Sequence, residues 1–328
     1  PTRIFPFHVL SFPNSRFLPM SPHALTLFLK QRAHELGFEE VGVAAAERLD
    51  DEARRLAAWL EQGRHGTMTW MENHFEKRVD PRELVPGAKS VVMFSFNYYN
   101  PEVPDDPDAP RIARYAYGRD YHKVLKKKLK QLLSEIRSKV GDVQGRCFAD
   151  SAPVLERAWA QRSGVGWIGK NTLVLTKGKG SYFVLGTMIL DVELVPDGPV
   201  TDYCGRCTRC IDACPTDALT PYEMDATRCI SYLTIERQDD IPAPWRDQLE
   251  GFMFGCDICQ EVCPINARAS MHDEPDFLPR PGLLDRSADD WLELTEEVFD
   301  EVFHGTPVKR AGFEKLKRTI QHVANPPS

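Results

Sequence analysis

Apolar residues recur at helical spacing as soon as the chain leaves its proline-rich start. Ser21 and Pro22 supply a cap and a first-turn proline, and Leu25, Phe28, Leu29 and Leu36 follow on one face until Gly37 stops the helix. A short strand is expected at Val41–Ala44, then a helix opened by Asp50 and Asp51 with Leu56, Trp59 and Leu60 on one face. The apolar run Val91–Phe96 predicts a buried strand, and the Pro- and Asp-rich stretch Pro101–Pro110 an exposed loop. Further on, the pattern predicts a strand at Ile112–Tyr117, a long lysine-rich helix from Asp120, a strand end at Cys147–Asp150 and a helix at Pro153–Arg162. Thr172–Thr176 and Tyr182–Leu190 read as a hairpin across Gly178-Lys179-Gly180. Helices and strands thus alternate to about residue 200, an α/β (α+β) unit with no internal repeat.

Length and composition add boundaries to this pattern. The 328 residues suit two globular units, and no run approaches the ~18 apolar residues of a membrane span. Pro1–Pro19 lacks a sustained apolar run with a cleavage site, so residues 1–20 are expected to be an extension and the protein soluble and cytoplasmic. The net charge of −7 is unevenly spread. Lys123, Lys126, Lys127, Lys128 and Lys130 crowd one helix, and Lys309, Arg310, Lys315, Lys317 and Arg318 lie near the C-terminus. Such faces either are simply solvated or bind a polyanion that the net charge would not suggest.

Cysteine placement changes the picture most. Eight of the nine lie between Cys204 and Cys263, which points to metal rather than a disulfide framework. Cys204-x2-Cys207-x2-Cys210-x3-Cys214-Pro215 has the spacing of a bacterial ferredoxin, in which three cysteines wrap one cubane and the fourth reaches a second. The other half, Cys256-x2-Cys259-x3-Cys263-Pro264, has Met253 where a further cysteine is due, and Cys229 is the nearby replacement. Counting then assigns Cys204, Cys207, Cys210 and Cys263 to one 4Fe–4S cluster and Cys214, Cys229, Cys256 and Cys259 to the other. Two zinc sites would also use eight thiolates, but zinc has no need of these offsets. Cys147 is left over and reads as a small buried hydrophobe.

Clusters move single electrons, so the preceding unit must hold a second cofactor or dock a partner. It has neither a dinucleotide fingerprint nor a Walker loop. Its Gly-rich segment Ser163–Asn171 is either a structural turn or a binding loop.

Asp150-Ser151-Ala152-Pro153-Val154-Leu155-Glu156-Arg157, the Ser163–Asn171 loop, the eight-cysteine module and Cys229–Glu236 together resemble the epoxyqueuosine reductases, over roughly Pro22–Lys317. The resemblance implies a cobalamin-binding catalytic unit (21–200) like nitroreductase and reductive dehalogenase cores. After it come a ferredoxin-like double-cluster module (201–270) and a short helical C-terminus (271–328). It further implies reduction of the epoxide of epoxyqueuosine at the wobble position of transfer RNA to an alkene, the last step of queuosine synthesis. Asp150 is then the proton donor, which near neutral pH asks for a raised pKa. Lys170 and Asn171 become cobalamin neighbours, with Tyr117, Ser231 and Asp257 as further ones, and the second cluster lies nearer the corrin. The D-x-H-x-x-G motif of many cobalamin proteins is broken here, Leu125 standing where glycine is required after Asp120-Tyr121-His122. Expected partners are the modified transfer RNA and an electron donor of ferredoxin or flavodoxin type, with no membrane and a monomeric chain. Many family members continue into a helical-repeat tail, so this chain is expected to be a short or truncated form. Competing readings are a reductive dehalogenase-like enzyme acting on a small substrate and a plain electron carrier.

Overall fold

A computed structural model describes residues 20–324. The expected extension therefore lies outside the described residues except for Met20, which packs on the first core. Helix α1 (Pro22–Glu35) begins as expected, with the Ser21 hydroxyl accepting from Ala24 N–H, and leads to β1 (Glu40–Ala45), α2 (Asp50–Glu61) and α3 (Phe75–Val79). Then come β2 (Ser90–Asn97), β3 (Arg111–Ile112), α4 (Tyr121–Val140), β4 (Gly145–Phe148) and α5 (Glu156–Arg162). The first unit closes with β5 (Trp167–Ile168), β6 (Val174–Leu175) and β7 (Phe183–Leu190).

One antiparallel sheet in the order β1-β2-β7-β4 forms the centre. Its strand β2 is buried from Ser90 to Phe96 because both of its faces are covered. Val92, Phe94 and Phe96 meet Leu25 and Leu29 of α1 and Leu125, Leu129 and Leu132 of α4. Val91 and Met93 meet Leu56 of α2 and Trp159 of α5. The result is a helix–sheet–helix sandwich in which α4 turns its leucines inward and leaves Lys123, Lys127 and Lys130 exposed.

Three expectations fail for identifiable reasons. β6 does not pair with β7: only Thr176 and Gly180 bridge across the Gly178 turn, and β6 pairs with β5 instead. β7 gives one edge to β2 along its length and the Thr187–Leu190 part of the other to β4, while β6 turns back onto Trp167–Ile168. The strand expected at Ile112–Tyr117 stops after Ile112, because Ala113 N–H goes to Phe254 O and Arg114 N–H is captured by the Asp257 carboxylate. The helix expected from Pro153 starts at Glu156, after a turn closed by Val154 N–H on Ala152 O.

The cysteine-bearing segment is folded onto this sandwich. It contains α6 (Arg209–Asp212), β8 (Leu219–Thr220), β9 (Glu223–Met224), α7 (Ala243–Arg246), β10 (Phe252–Phe254) and α8 (Ile258–Glu261). β10 runs parallel to β3. A buried polar knot adds to the seam: Ser181 N–H donates to Asn266 Oδ1 (2.7 Å), and Gln260 Nε2 donates to Ser181 Oγ (3.0 Å). The last helices α9 (Ala288–Leu292), α10 (Glu296–Val302) and α11 (Phe313–Ala324) pack Trp291, Phe299, Phe303 and Leu316 against Tyr117 and Phe254. No helix among the described residues is long and apolar enough to cross a membrane.

At Gly42, on β1, a Cβ would collide with the Ser163 carbonyl behind it. Gly42→Ala must push strand and loop apart, and overpacking of this kind costs about 1–3 kcal/mol. A lower urea midpoint with an unchanged m-value is the expected result, and an unchanged midpoint would contradict the packing described.

Candidate active site and cluster ligands

The first four cysteines come together from two stretches of chain. Asp202 Oδ1 accepts from Cys204 N–H (2.7 Å) and opens the loop, Cys207 N–H closes on Cys204 O (3.0 Å), and Cys263 arrives at the end of α8. Cys204, Cys207, Cys210 and Cys263 line one cavity with Lys170, Asn171, Leu175, Tyr203, Pro264 and Ile265. The Gly-rich loop belongs to this cavity wall. A Cβ on Gly169 would sit 3.5 Å from Cys204 Sγ and strike Leu175, so glycine there permits the close approach.

The other four thiols gather behind the first group. Burial, then the nearby Cys256 and Cys229, push the Cys259 thiol well up, and burial followed by Cys229, Asp257 and Cys214 does the same to Cys256. Cys229 is raised mainly by burial, against N–H groups of Ser231 and Tyr232 that point at its sulfur. Buried thiols of this kind stay protonated unless a metal takes the place of the proton. All nine cysteines are free, and among the described residues no three His, Cys, Asp or Glu converge closely enough to hold a single ion. Eight thiols gathered into two wider groups fit a polynuclear cluster better than zinc.

The five expected cobalamin neighbours are found with their polar groups already engaged. Lys170 Nζ donates to Gly205 O (2.7 Å) and Cys207 O (3.0 Å), and Asn171 Nδ2 donates to Cys259 O (3.4 Å). Ser231 turns toward Cys229. Asp257, buried between two cysteines, accepts from Arg114 N–H (2.8 Å), and burial raises it to about 6. Tyr117 is core, its hydroxyl 3.4 Å from Glu102 O.

Asp150 has the surroundings of a reactive group. It follows β4 in a turn with φ of 56°, a left-handed conformation that non-glycine residues seldom adopt. Its N–H donates to Glu156 Oε2 (3.1 Å), and Glu156 Oε1 accepts from Thr187 (3.1 Å). Tyr121 donates its hydroxyl to Asp150 Oδ2 (2.6 Å). His122 Nε2 lies 3.3 Å from the same oxygen, out of line for a hydrogen bond, and its Nδ1 is 2.6 Å from Asp120. The Asp150 side chain is 59% exposed while His122 is only 10% exposed, so the carboxylate forms the open end of a buried polar group.

The expected rise in the Asp150 pKa is not found. The protein packed around its inner side pushes it up by desolvation, but His122 and the Tyr121 hydroxyl outweigh this and hold it at about 2. Burial would lower His122, yet Asp120 and Asp150 raise it to about 9. Burial and the Asp150 charge push Glu156 up to about 8. At neutral pH the protons sit on the neighbours, and Asp150 is the charge that gathers them. In the sequence Tyr121 and His122 stand only in a broken motif and Glu156 only in the family stretch after Asp150, none with a role. Their position at the head of α4 and α5 appears only in three dimensions.

Thiols placed to hold paired clusters beside an open carboxylate with proton-bearing neighbours make this, by class, an iron–sulfur oxidoreductase. Comparison with known proteins narrows it. Residues 203–266 match the 4Fe–4S double cluster binding domain and residues 78–151 the family described as epoxyqueuosine reductase QueG, DUF1730. The epoxyqueuosine reductase of Leadbetterella byssophila is 50% identical over 90% of this chain and 97% of its own length. That of Pseudomonas aeruginosa is 43% identical over 94% of this chain and 88% of its own. A crystal structure of an epoxyqueuosine reductase with an epoxyqueuosine-modified tyrosine tRNA stem loop superposes with a TM-score of 0.84 at 32% identity, covering 91% of this chain and 80% of that one. The Bacillus subtilis enzyme, solved with its catalytic aspartate loop swung out of the active site, gives 0.83. The chain belongs to the epoxyqueuosine reductase family.

Two outcomes are expected from these placements. Cys263→Ser, which removes one thiol from the first group only, should lower iron and acid-labile sulfide from about eight to about four per chain; loss of all eight would contradict two separable groups. Glu156 holds in the folded state a proton that the unfolded chain releases near 4.5. Its stabilisation is therefore complete below about pH 4.5 and is lost as pH rises through about 8, by up to about 1.4 kcal/mol per pH unit. Urea unfolding of Glu156→Gln should show a flatter stability profile across that window, and an unchanged slope would place the proton elsewhere.

Proposed function

We infer that the protein is an epoxyqueuosine reductase, which reduces the epoxide of epoxyqueuosine in transfer RNA to the alkene of queuosine. The observation that carries this reading is the 50% identity to a named family member over nearly the whole of both chains. Removing the epoxide oxygen as water takes two electrons and two protons. The ligand sets we assign are Cys204, Cys207, Cys210 and Cys263 for one cluster and Cys214, Cys229, Cys256 and Cys259 for the other, which together deliver electrons singly.

Family resemblance supplies cobalamin, which when bound would provide a low-potential cobalt centre for the two-electron reduction. Its fit to this chain rests on buried polar atoms that have no partner among the described residues: Asn100 Nδ2 and both ring nitrogens of His272, on segments joined by His272 N–H to Tyr99 O (3.0 Å). An amide-fringed macrocycle is suited to such groups. Asn100 and His272 would therefore hold it, whereas Lys170, Asn171, Tyr117, Ser231 and Asp257 act at its borders by fixing the cysteine loops and the core beneath.

Asp150 orients the departing oxygen and passes it a proton drawn from His122 and Tyr121, while Glu156 holds the strained turn from behind. The RNA approaches over a cleft beside this group, lined by Arg119, Lys123, Arg280 and His304 with Asp276. Asp120 N–H donates to Gly305 O (2.8 Å) at its edge, so the cations stand next to Asp150. Such contacts position an anticodon loop, from which one nucleotide can be splayed at modest cost. A transfer RNA substrate places the work in the cytoplasm, with the chain acting as a monomer fed by a ferredoxin- or flavodoxin-type donor.

The test is anaerobic turnover of an epoxyqueuosine-bearing anticodon stem-loop with dithionite and cobalamin. Asp150→Asn should keep its iron and bound corrinoid while turnover falls about a hundredfold or more. Full turnover by the variant would remove Asp150 from the chemistry, and no turnover by the unmodified protein would overturn the reading.

A further inference from the structure

We propose that the face around Tyr203, outside the first cysteine group, is the docking site for a small acidic ferredoxin that reloads the clusters. The proposal rests on the reading of the eight thiols as cluster ligands and adds the partner and its place. The two groups differ in surroundings. The second lies behind the first, with Cys229 and Cys256 packed against Ile230, Leu233 and Phe252. The first opens through a cavity at whose rim Tyr203 is 47% exposed. Asn171, in the wall of the first cavity, donates to Cys259 O of the second group (3.4 Å), and Arg114, whose N–H donates to Asp257 (2.8 Å), is followed by Tyr115, whose ring centre lies 6.0 Å from that of Tyr121, the donor to Asp150. Proximity therefore runs from the surface through the first and second groups toward Asp150, and an electron from outside enters at the first.

Charge at this rim identifies what brings it. Arg206 and Arg209 are exposed on the cysteine loop, and Lys177 stands with its Nζ 4.8 Å from the centre of the Tyr203 ring. None of the three is in an ion pair among the described residues. Two carboxylates close by keep their charge while accepting from neutral donors, Asp202 from Cys204 N–H and the Tyr222 hydroxyl (both 2.7 Å) and Asp212 from Thr208 (2.7 Å), so cations outnumber anions three to two. A chain of net charge −7 thus shows three free cations around the mouth of its outer cluster. Tyr203, braced by Trp167 at 5.2 Å between ring centres, adds a rigid aromatic anchor. Unpaired cations around an exposed aromatic steer and hold an acidic protein partner. The RNA cleft beside Asp150 shares no residue with this face.

Each docking event moves one electron: reduced ferredoxin is oxidised and the first cluster is reduced. Two such events, with two protons from solvent passed through the Asp150 group, balance the conversion of epoxide to alkene and water.

The experiment follows bleaching of the cluster absorbance when the holoenzyme is mixed with a reduced acidic plant-type ferredoxin, for the unmodified protein, Lys177→Glu and Lys177→Glu/Arg209→Glu. The second-order rate should fall about tenfold or more in the double variant and lose most of its salt dependence. Dithionite-driven turnover and stem-loop affinity should stay unchanged. Lys177 lies outside the cysteine loop, so Lys177→Glu decides the matter if Arg209→Glu disturbs iron content. Equal rates in variant and parent, or no reduction of the parent by ferredoxin, would overturn the proposal, as would a loss of stem-loop affinity, which would make this an RNA surface. Ferredoxin reduction without epoxide turnover under any reductant would instead overturn the proposed function and leave the docking site standing.

Discussion

Arg114 carries its guanidinium into the seam between sandwich and cysteine segment, and the placement of the second cysteine group depends on it. Its backbone N–H and side chain meet Asp257 at 2.8 and 3.4 Å, and Nη1 also reaches Glu261 at 2.6 Å. Asp257 lies between Cys256 and Cys259, so this pairing fixes where those two thiols point. Arg111, which holds Glu261 at 2.7 Å, doubles the link. Two arginines facing two carboxylates leave no buried charge uncompensated, the condition under which such pairs are tolerated in an interior. A ferredoxin fold alone could not offer this arrangement. The cysteine module has its geometry because the sandwich supplies β3 as a strand partner and Arg114 as a counter-charge.

The same dependence explains what could be read in the amino-acid order and what could not. Cysteine ligation is local, since three residues at a spacing of three must wrap a loop, and Cys204, Cys207 and Cys210 declare it at once. Closing the count with Cys263 and Cys229 needed only arithmetic. Helices α1, α2 and α4 were equally legible, because each shows one apolar face and a stop or cap. The partner of a two-residue strand is not local: Val174–Leu175 is as apolar as any strand of a hairpin, yet in the folded chain it pairs with Trp167–Ile168. Asp150 shows the limit most clearly. Its motif marked it as important, but its ionisation is set by Tyr121 and His122, which come nearly thirty residues earlier and meet it only when α4 lies across the end of β4.

Strain and charge meet in that turn. A left-handed aspartate is held because Glu156 accepts from its N–H and the Tyr121 hydroxyl donates to its carboxylate, so this strained residue has two anchors. A loop kept in place this way has a second state available when either anchor is withdrawn, and in the Bacillus subtilis relative the catalytic aspartate loop has been seen swung out.

Crossing of the cysteine halves has a further consequence, for the way the molecule is made. Cys263 is the last of the eight in the chain, yet it completes the group begun by Cys204, and the other group waits for Cys259. Neither site can be finished while a ribosome is still working through the intervening sixty residues or so. Both then become complete within four residues of synthesis. A chain that stops before Cys259 holds six of the eight thiols and can complete neither group.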